Sequence, residues 1–301
     1  MTNTILCVGA LTMDSIFLLQ QLPTHSGKFI PLEAVEIAEG MASAQAASIA
    51  RLGGAARLWA SAGDDMTGDW LVSQLSAEGV DCASVRRVPG ARSGFSSIFM
   101  DLAGESIIVP QYDPALRTPP DALPPMDDVA LVSVDPRWPD AAELALSEAK
   151  KRGIPGLLDA DVAPKDILER LAPLASHIVA SKSGAAILTG ADDPAKALVL
   201  LTEQYQSFVA ITAGENGCYW YHRDTDQVHH VPAPKVTAID TVGAGDVFHA
   251  AFALGLVEKL ETTPLIRRAT AAAAIKCTHF GGRLGAPTRL ELDAYLEVAD
   301  F

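Results

Sequence analysis

Short runs of β-branched and aliphatic residues recur along the chain, at 5–9, 58–62, 129–134, 156–159, 177–180 and 208–212. Between them lie alanine-rich segments of helical length, at 42–52, 68–78, 141–152 and 195–204. Strand-like runs that alternate with helical ones predict an α/β fold, a mostly parallel central sheet with helices on both faces. Two stretches break this rhythm, 15–39 and 93–112. In the second, Phe95, Ile98 and Met100 lead to Ala103-Gly104, a turn between two strands. Together they are read as a small β-sheet lid standing off the core. From Val247 to Val298 the chain reads as consecutive helices, with Gly281-Gly282 and Pro287 marking the break between the last two. The whole, 1–301, is taken as one domain carrying the lid, a size that α/β folds use for a single large core.

Charge narrows the choice of partner. Lys and Arg number 23 against 37 Asp and Glu, a formal net charge of -14. Such a surface repels phosphate backbones and anionic membranes, so neither nucleic acid nor a membrane is expected as a partner. Cys7, Cys82, Cys218 and Cys277 lack CxxC spacing, which points to reduced thiols. No apolar run is long enough to span a bilayer and no basic leader precedes the first strand, so the expected compartment is the cytoplasm.

The chemistry concentrates in Asp240-Thr241-Val242-Gly243-Ala244-Gly245-Asp246, followed by the helical run that begins at Val247. Gly243, Ala244 and Gly245 leave main-chain N–H groups unobstructed, and the helix N-terminus adds partial positive charge, so the segment reads as an anion hole. Asp246 at its edge would repel phosphate, yet it is suited to take a proton from a hydroxyl attacking that phosphate. Read in isolation, Asp246 is equally a helix cap on a tight glycine loop.

This run resembles the C-terminal signature of the ribokinase-like (PfkB) carbohydrate kinases. The resemblance implies a three-layer ribokinase-like fold, ATP as phosphoryl donor, Asp246 as base and Gly243–Gly245 as the cradle of the transferring group. It extends to Thr212-Ala213-Gly214-Glu215-Asn216-Gly217, similar to the family's nucleotide loop, where Thr212, Gly214 and Gly217 would approach ATP. Thr241, Ser181 and Cys277 are placed beside the nucleotide by the same comparison. Near the N-terminus, Glu39-Gly40 through Arg51-Leu52-Gly53 looks like the family's first signature, and Ala62-Gly63-Asp64-Asp65 completes that half. Here Glu39 replaces a glycine and Ala44 an asparagine that contacts sugar. Where the family has Asn-x-x-Glu in support of Mg²⁺, this chain reads Ser181-Lys182-Ser183-Gly184, so Mg²⁺ is expected without assigned ligands. A monovalent-cation site is also implied, with Asp240 and Val242 matching part of it and K⁺ as the expected ion.

On the acceptor side the resemblance makes Asp14 and Gly40 contacts for sugar hydroxyls, although a carboxylate after a strand is also an ordinary turn residue. Lys28 and Arg137 read either as solvated charges or as cations meeting an anionic group on the acceptor. Leu22 to Lys28, Arg137-Trp138, Ser181, Gly184, Lys276-Cys277-Thr278 and Gly281-Gly282-Arg283 look most like the sulfofructose-kinase branch, which implies 6-deoxy-6-sulfofructose phosphorylated at its 1-hydroxyl. Pro110 stands where that branch has an asparagine. Two other readings remain, a nucleoside kinase on the same fold and a weakly catalytic sugar-binding regulator. His222, His229 and His230 read as surface histidines of a hairpin rather than a metal site, and His249 as a packing residue one turn beyond Asp246. By analogy with the family, the lid pairs two subunits into a homodimer.

Overall fold

A computed structural model describes residues 3–299 of the chain. Its first strand, β1 (Thr4–Gly9), is buried at every position. The side chains divide with the period of two: Ile5 and Cys7 enter one hydrophobic core, Leu6 and Val8 another. Leu157 and Leu158 divide in the same way, as do Val179 and Ile178. A sheet apolar on both faces must be covered on both, and that requirement sets the architecture.

After β1 come β2 (Thr12–Leu19), β3 (Glu33–Glu39), α1 (Met41–Arg51), β4 (Ala55–Gly63), α2 (Met66–Ala77), β5 (Arg86–Val88), β6 (Gly94–Asp101) and β7 (Ser106–Gln111). The middle of the chain forms β8 (Val129–Val134), α3 (Pro139–Arg152), β9 (Gly156–Ala160), α4 (Lys165–Leu171), β10 (His177–Ser181), α5 (Lys182–Thr189), α6 (Pro194–Gln204) and β11 (Phe208–Thr212). The last part holds β12 (Cys218–His222), β13 (Gln227–Val231), α7 (Ala244–Val257), α8 (Thr262–Cys277) and α9 (Arg289–Val298). The large sheet runs β13-β12-β11-β10-β9-β8-β1-β4-β5, parallel from β5 to β11 and antiparallel at the β12 and β13 edge. Ile49 of α1, Phe252 of α7 and Ala269 of α8 cover the Ile5 face, and Leu146 of α3, Leu168 of α4 and Leu198 of α6 cover the other. The three-layer expectation is met. Among the described residues, no helix is long and apolar enough to cross a membrane.

The chain leaves β1 toward β4 on one side of the sheet and returns as β8 on the other. Loops after β1 and β8 therefore diverge and open a crevice at the carboxyl ends of the strands. Asp135, just beyond β8 and fully buried, ties this crevice together. Its carboxylate accepts N–H bonds from Ala10 after β1 (2.8 Å), Ala42 in the first turn of α1 (2.9 Å) and Arg137 (2.7 Å).

Over the crevice stands the small sheet, ordered β3-β2-β6-β7. It begins at Thr12, ahead of the expected 15, because Thr12 already pairs with both Glu39 and Gly94. The expected turn is present at Gly104, whose N–H reaches the Asp101 carbonyl at 3.0 Å. Ile16, Leu18, Ile37, Ile98 and Met100 form the sheet's inner core, with Val242 and Phe280 packed against it. Its outer face carries Phe17 stacked on Phe99 at 5.5 Å.

Arg283, in the 3₁₀ turn after α8, locks the lid to the body. It is 3% exposed, donates from Nε to the Ala38 carbonyl at 2.6 Å, and pairs through its terminal nitrogens with Glu78 beyond α2. Removing one partner of a buried ion pair leaves the others uncompensated. Arg283→Leu should lower unfolding free energy in urea by about 3–5 kcal/mol; a loss below about 1 kcal/mol, the usual range of an exposed pair, would contradict this role.

Candidate active site

The crevice contains a cavity of about 620 Å³ lined from both sheets. Thr12, Asp14, Ser96 and Ile98 come from the lid, Gly40 and Met41 from the start of α1, and Arg137 from the loop after β8. Asp159 and Asp161 at the end of β9, Ser181 at the end of β10 and Thr212 at the end of β11 supply the floor, with Thr241, Val242, Gly243, Gly245 and Asp246 closing one end. A second cavity, of about 660 Å³, lies beyond Thr212 and is lined by Gly214, Gly217, Phe248, Ala273, Ala274 and Cys277 among others. Thr212, Thr241 and Gly245 line both. The anion-hole loop is thus the wall between two chambers.

That loop is held from below. Asp240 is fully buried, and each of its carboxylate oxygens is engaged. Oδ1 accepts the Val242 N–H at 2.7 Å and lies 3.2 Å from the Lys276 ammonium. Oδ2 accepts the N–H groups of Gly281 and Gly282 at 2.9 and 2.8 Å. The Lys276 Nζ also donates to the Asp240 carbonyl at 2.6 Å. Above this anchor Gly243 caps α7 with φ 75°, a left-handed conformation that glycine adopts without steric cost. A Cβ there would also come within 3.0 Å of Glu39 Oε1, whereas one on Gly245 would meet nothing within 4 Å. Gly245 therefore faces open space at the positive end of α7, where an anionic group can be received.

Asp246 lies in the first turn of α7, lines the first cavity and is partly exposed to it. Burial, reinforced by the carboxylates of Asp159, Glu39, Asp135 and Asp161, holds its carboxyl well above the ordinary carboxylate range. Burial also pushes Asp159 up to about 7, against the pull of His249. The His249 Nδ1 lies 3.4 Å from Asp159 Oδ2 and 2.8 Å from the Gly245 carbonyl, and its Nε2 is 3.2 Å from the Val179 carbonyl. His249 is thus buried, as a packing residue would be, but in polar contact with the site. Asp14, 6% exposed, is raised to about 6 by burial, against the hydrogen bonds of Thr12 and Ser96. Glu39 rises to about 8 by burial, with the Arg283 guanidinium pulling the other way.

The comparison with known families adds the decisive observation: residues 2–289 match the model of the pfkB family carbohydrate kinases. The chain belongs to that family. The kinase is 27% identical to a ribokinase of Bacillus subtilis over 98% of this chain and 99% of the relative. It is 43% identical to a protein of Agrobacterium tumefaciens provisionally called a ribokinase, whose crystal structure superposes with a TM-score of 0.95 over 99% of this chain and 98% of the other. An Arabidopsis thaliana ribokinase solved with ribose and ATP, 22% identical, shares the fold with a TM-score of 0.83 over 99% of each chain.

Of the residues read from sequence, Asp14, Gly40, Arg137, Ser181, Thr212, Thr241, Val242, Gly243, Gly245 and Asp246 line the first cavity of the kinase. Gly214, Gly217, Ala244 and Cys277 line the second. Asp240 lies beneath both as the anchor. Lys28 is not brought to either chamber: it sits exposed in the loop between β2 and β3, past the end of the lid strands. Arg117 enters the lining instead, stacked over Tyr112 with 4.5 Å between guanidinium carbon and ring centroid. The short 3₁₀ turn that carries it has no sequence periodicity to announce it. Gly184 also gains an explanation. A Cβ there would fall 1.9 Å from the Ala160 carbonyl oxygen, so this packing of α5 on β9 admits no glutamate. Among the described residues no cluster of three or more His, Cys, Asp or Glu is placed to hold a metal, the hairpin histidines included.

A base must be ionised to work, and a raised carboxyl ionises only at higher pH. The acid limb of kcat/KM should therefore lie well above the usual aspartate range, with activity lost as pH falls through it. Asp159→Asn removes a like charge and should move that limb toward acid. An unmoved limb in the pH profile would dismiss Asp159 as a tuning charge.

Proposed function

We propose that the kinase transfers the γ-phosphoryl group of ATP to a hydroxyl of a sugar bearing an anionic group. The observation that carries this reading is the position of Asp246, in the acceptor cavity and one residue from Gly245, which faces both chambers. ATP fits the second chamber, with its phosphates directed past Thr212 to the amides at the start of α7. The acceptor fits the first, with Asp14 and the Gly40 turn toward its hydroxyls. Asp246 takes the proton as the hydroxyl oxygen forms its bond to the γ-phosphorus, the bond to the β-phosphate oxygen breaks, and ADP leaves. Bound magnesium would neutralise phosphate charge, and Asp159 and Asp161, facing the cavity, suit the one or two carboxylates such an ion takes beside phosphates and water.

Arg117 and Arg137 support an anionic acceptor, since two guanidinium groups line the acceptor end of an otherwise acidic chain. Arg137 is steadied by the Val162 carbonyl at 2.9 Å and by Asp161 at 3.8 Å. Among the described residues Tyr112 is the sole Phe, Tyr or Trp in that lining, which argues against a nucleobase. The branch resemblance names 6-deoxy-6-sulfofructose as acceptor, with Pro110 in the cavity wall where an asparagine contact would be.

ADP release measured across neutral sugars, sugar phosphates, sugar acids, sulfosugars and nucleosides tests the reading. Turnover should favour an anionic sugar, Arg117→Ala and Arg137→Ala should each cost about 10–100-fold in kcat/KM on it but not on neutral sugars, and Asp246→Asn should lower kcat by about 10²–10⁴-fold. Preference for a nucleoside, or ATP binding without any turnover, would replace it with one of the other two readings.

We further infer a homodimer closed through the lid. Ile107, Ile108 and Val109 on the edge strand β7 and Ile30 and Leu32 between β2 and β3 are large apolar residues left exposed. An exposed, apolar sheet edge calls for a partner. Light scattering should give about twice the chain mass; a monomer at micromolar concentration would refute the pairing.

A further inference from the structure

The resemblance of Asp240 and Val242 to part of a monovalent-cation site implies K⁺ beside the anion-hole loop. The Asp240 oxygens that would receive it are already engaged. The Asp240 carbonyl and Oδ1 face the Lys276 ammonium at 2.6 and 3.2 Å. The Cys277 carbonyl accepts the N–H groups of Ile239 and Asp240 at 2.7 and 3.2 Å. Lys276 and Asp240 are both fully buried. The Asp240 carboxylate already stands against the Lys276 ammonium at 3.2 Å. A potassium ion added here would displace the ammonium or bring unmatched positive charge into a dry site.

We propose that Lys276 is a tethered replacement for the monovalent cation, a positioning residue that holds the Asp240–Asp246 loop in its phosphate-receiving form without K⁺. An ammonium and K⁺ carry the same charge and make contacts of similar length to carbonyl oxygen. The ammonium differs in arriving on the chain's own α8, so its concentration is that of the folded protein and does not depend on the salt outside. Lys276 acts through the backbone: it fixes Asp240, Asp240 fixes Val242 and the Gly281-Gly282 turn, and α7 begins directly above. It lines neither chamber.

The test does not depend on the acceptor. Melting temperature and calorimetric affinity for magnesium AMP-PNP are compared in KCl, NaCl and choline chloride at equal ionic strength, so that screening is constant. The native kinase should give the same values in all three salts. Lys276→Met should bind the nucleotide about tenfold more weakly in NaCl or choline chloride. KCl or NH4Cl should restore that affinity and raise the melting temperature, because removal of the ammonium opens the oxygens to an external ion. A K⁺-specific gain in melting temperature or nucleotide affinity of the native kinase would overturn the proposal. So would a Lys276→Met variant that matches the native affinity in choline chloride, or one that folds but recovers with no cation. Should that variant not fold in any salt, the native comparison decides alone.

Discussion

The phosphate-binding end of this kinase depends on one buried carboxylate. Asp240 sits at zero exposure with two main-chain amides on one oxygen and an amide and an ammonium on the other. A carboxylate taken out of water is tolerated only when its lone pairs are used and its charge is matched. Because the donors come from two separate stretches, the start of the glycine loop and the end of α8 with the turn after it, satisfying Asp240 forces those stretches together. The α7 N-terminus is then aimed at the join between the two chambers by main chain alone.

A second constraint is electrostatic. Asp246, Asp159, Asp161, Asp135 and Glu39 lie close enough to raise the proton affinity of Asp246, and burial raises it first. Standing alone, such a field favours the protonated form of the base. The same field attracts the cationic magnesium that accompanies a nucleotide, and charge arriving there would return the base to its ionised form. Base strength and metal recruitment are in this sense one property of the acidic floor. Arg117 and Arg137 share the lining with these carboxylates, Arg137 lying 3.8 Å from Asp161, so the acceptor cavity carries charges of both signs.

Much of this was legible in the chain. Runs such as Leu131-Val132 and Ile178-Val179 announced strands buried on both faces, and the run from Asp240 to Asp246 placed the base and its cradle. What stayed hidden depends on contacts distant in sequence. Glu39 reads as a departure from a glycine until Arg283, 244 positions away, donates its N–H to it. Gly184 reads as a lost magnesium contact until the Ala160 carbonyl is seen in the space its side chain would need. Lys28 was assigned by position within a lid, and an irregular loop carries no periodicity that tells where its side chains lie. Arg117 lay in no motif at all.

These differences explain why the reaction is better determined than the acceptor. The phosphate side is built from backbone amides, a helix terminus and glycines, whose placement follows from local conformation and so leaves a local signature in sequence. The acceptor side is built from single side chains on the lid, the loop after β8, the end of β9 and the turn after β7, brought together only by the fold. One substitution there changes which hydroxyl or charge is met without disturbing the sheet, so a short motif constrains it weakly. Lys276 joins the two regimes. It lies outside the Asp240–Asp246 run, at the end of α8, yet it acts on that run's backbone, so a residue that the sequence ties only to the branch resemblance becomes part of the phosphate site once α8 is packed.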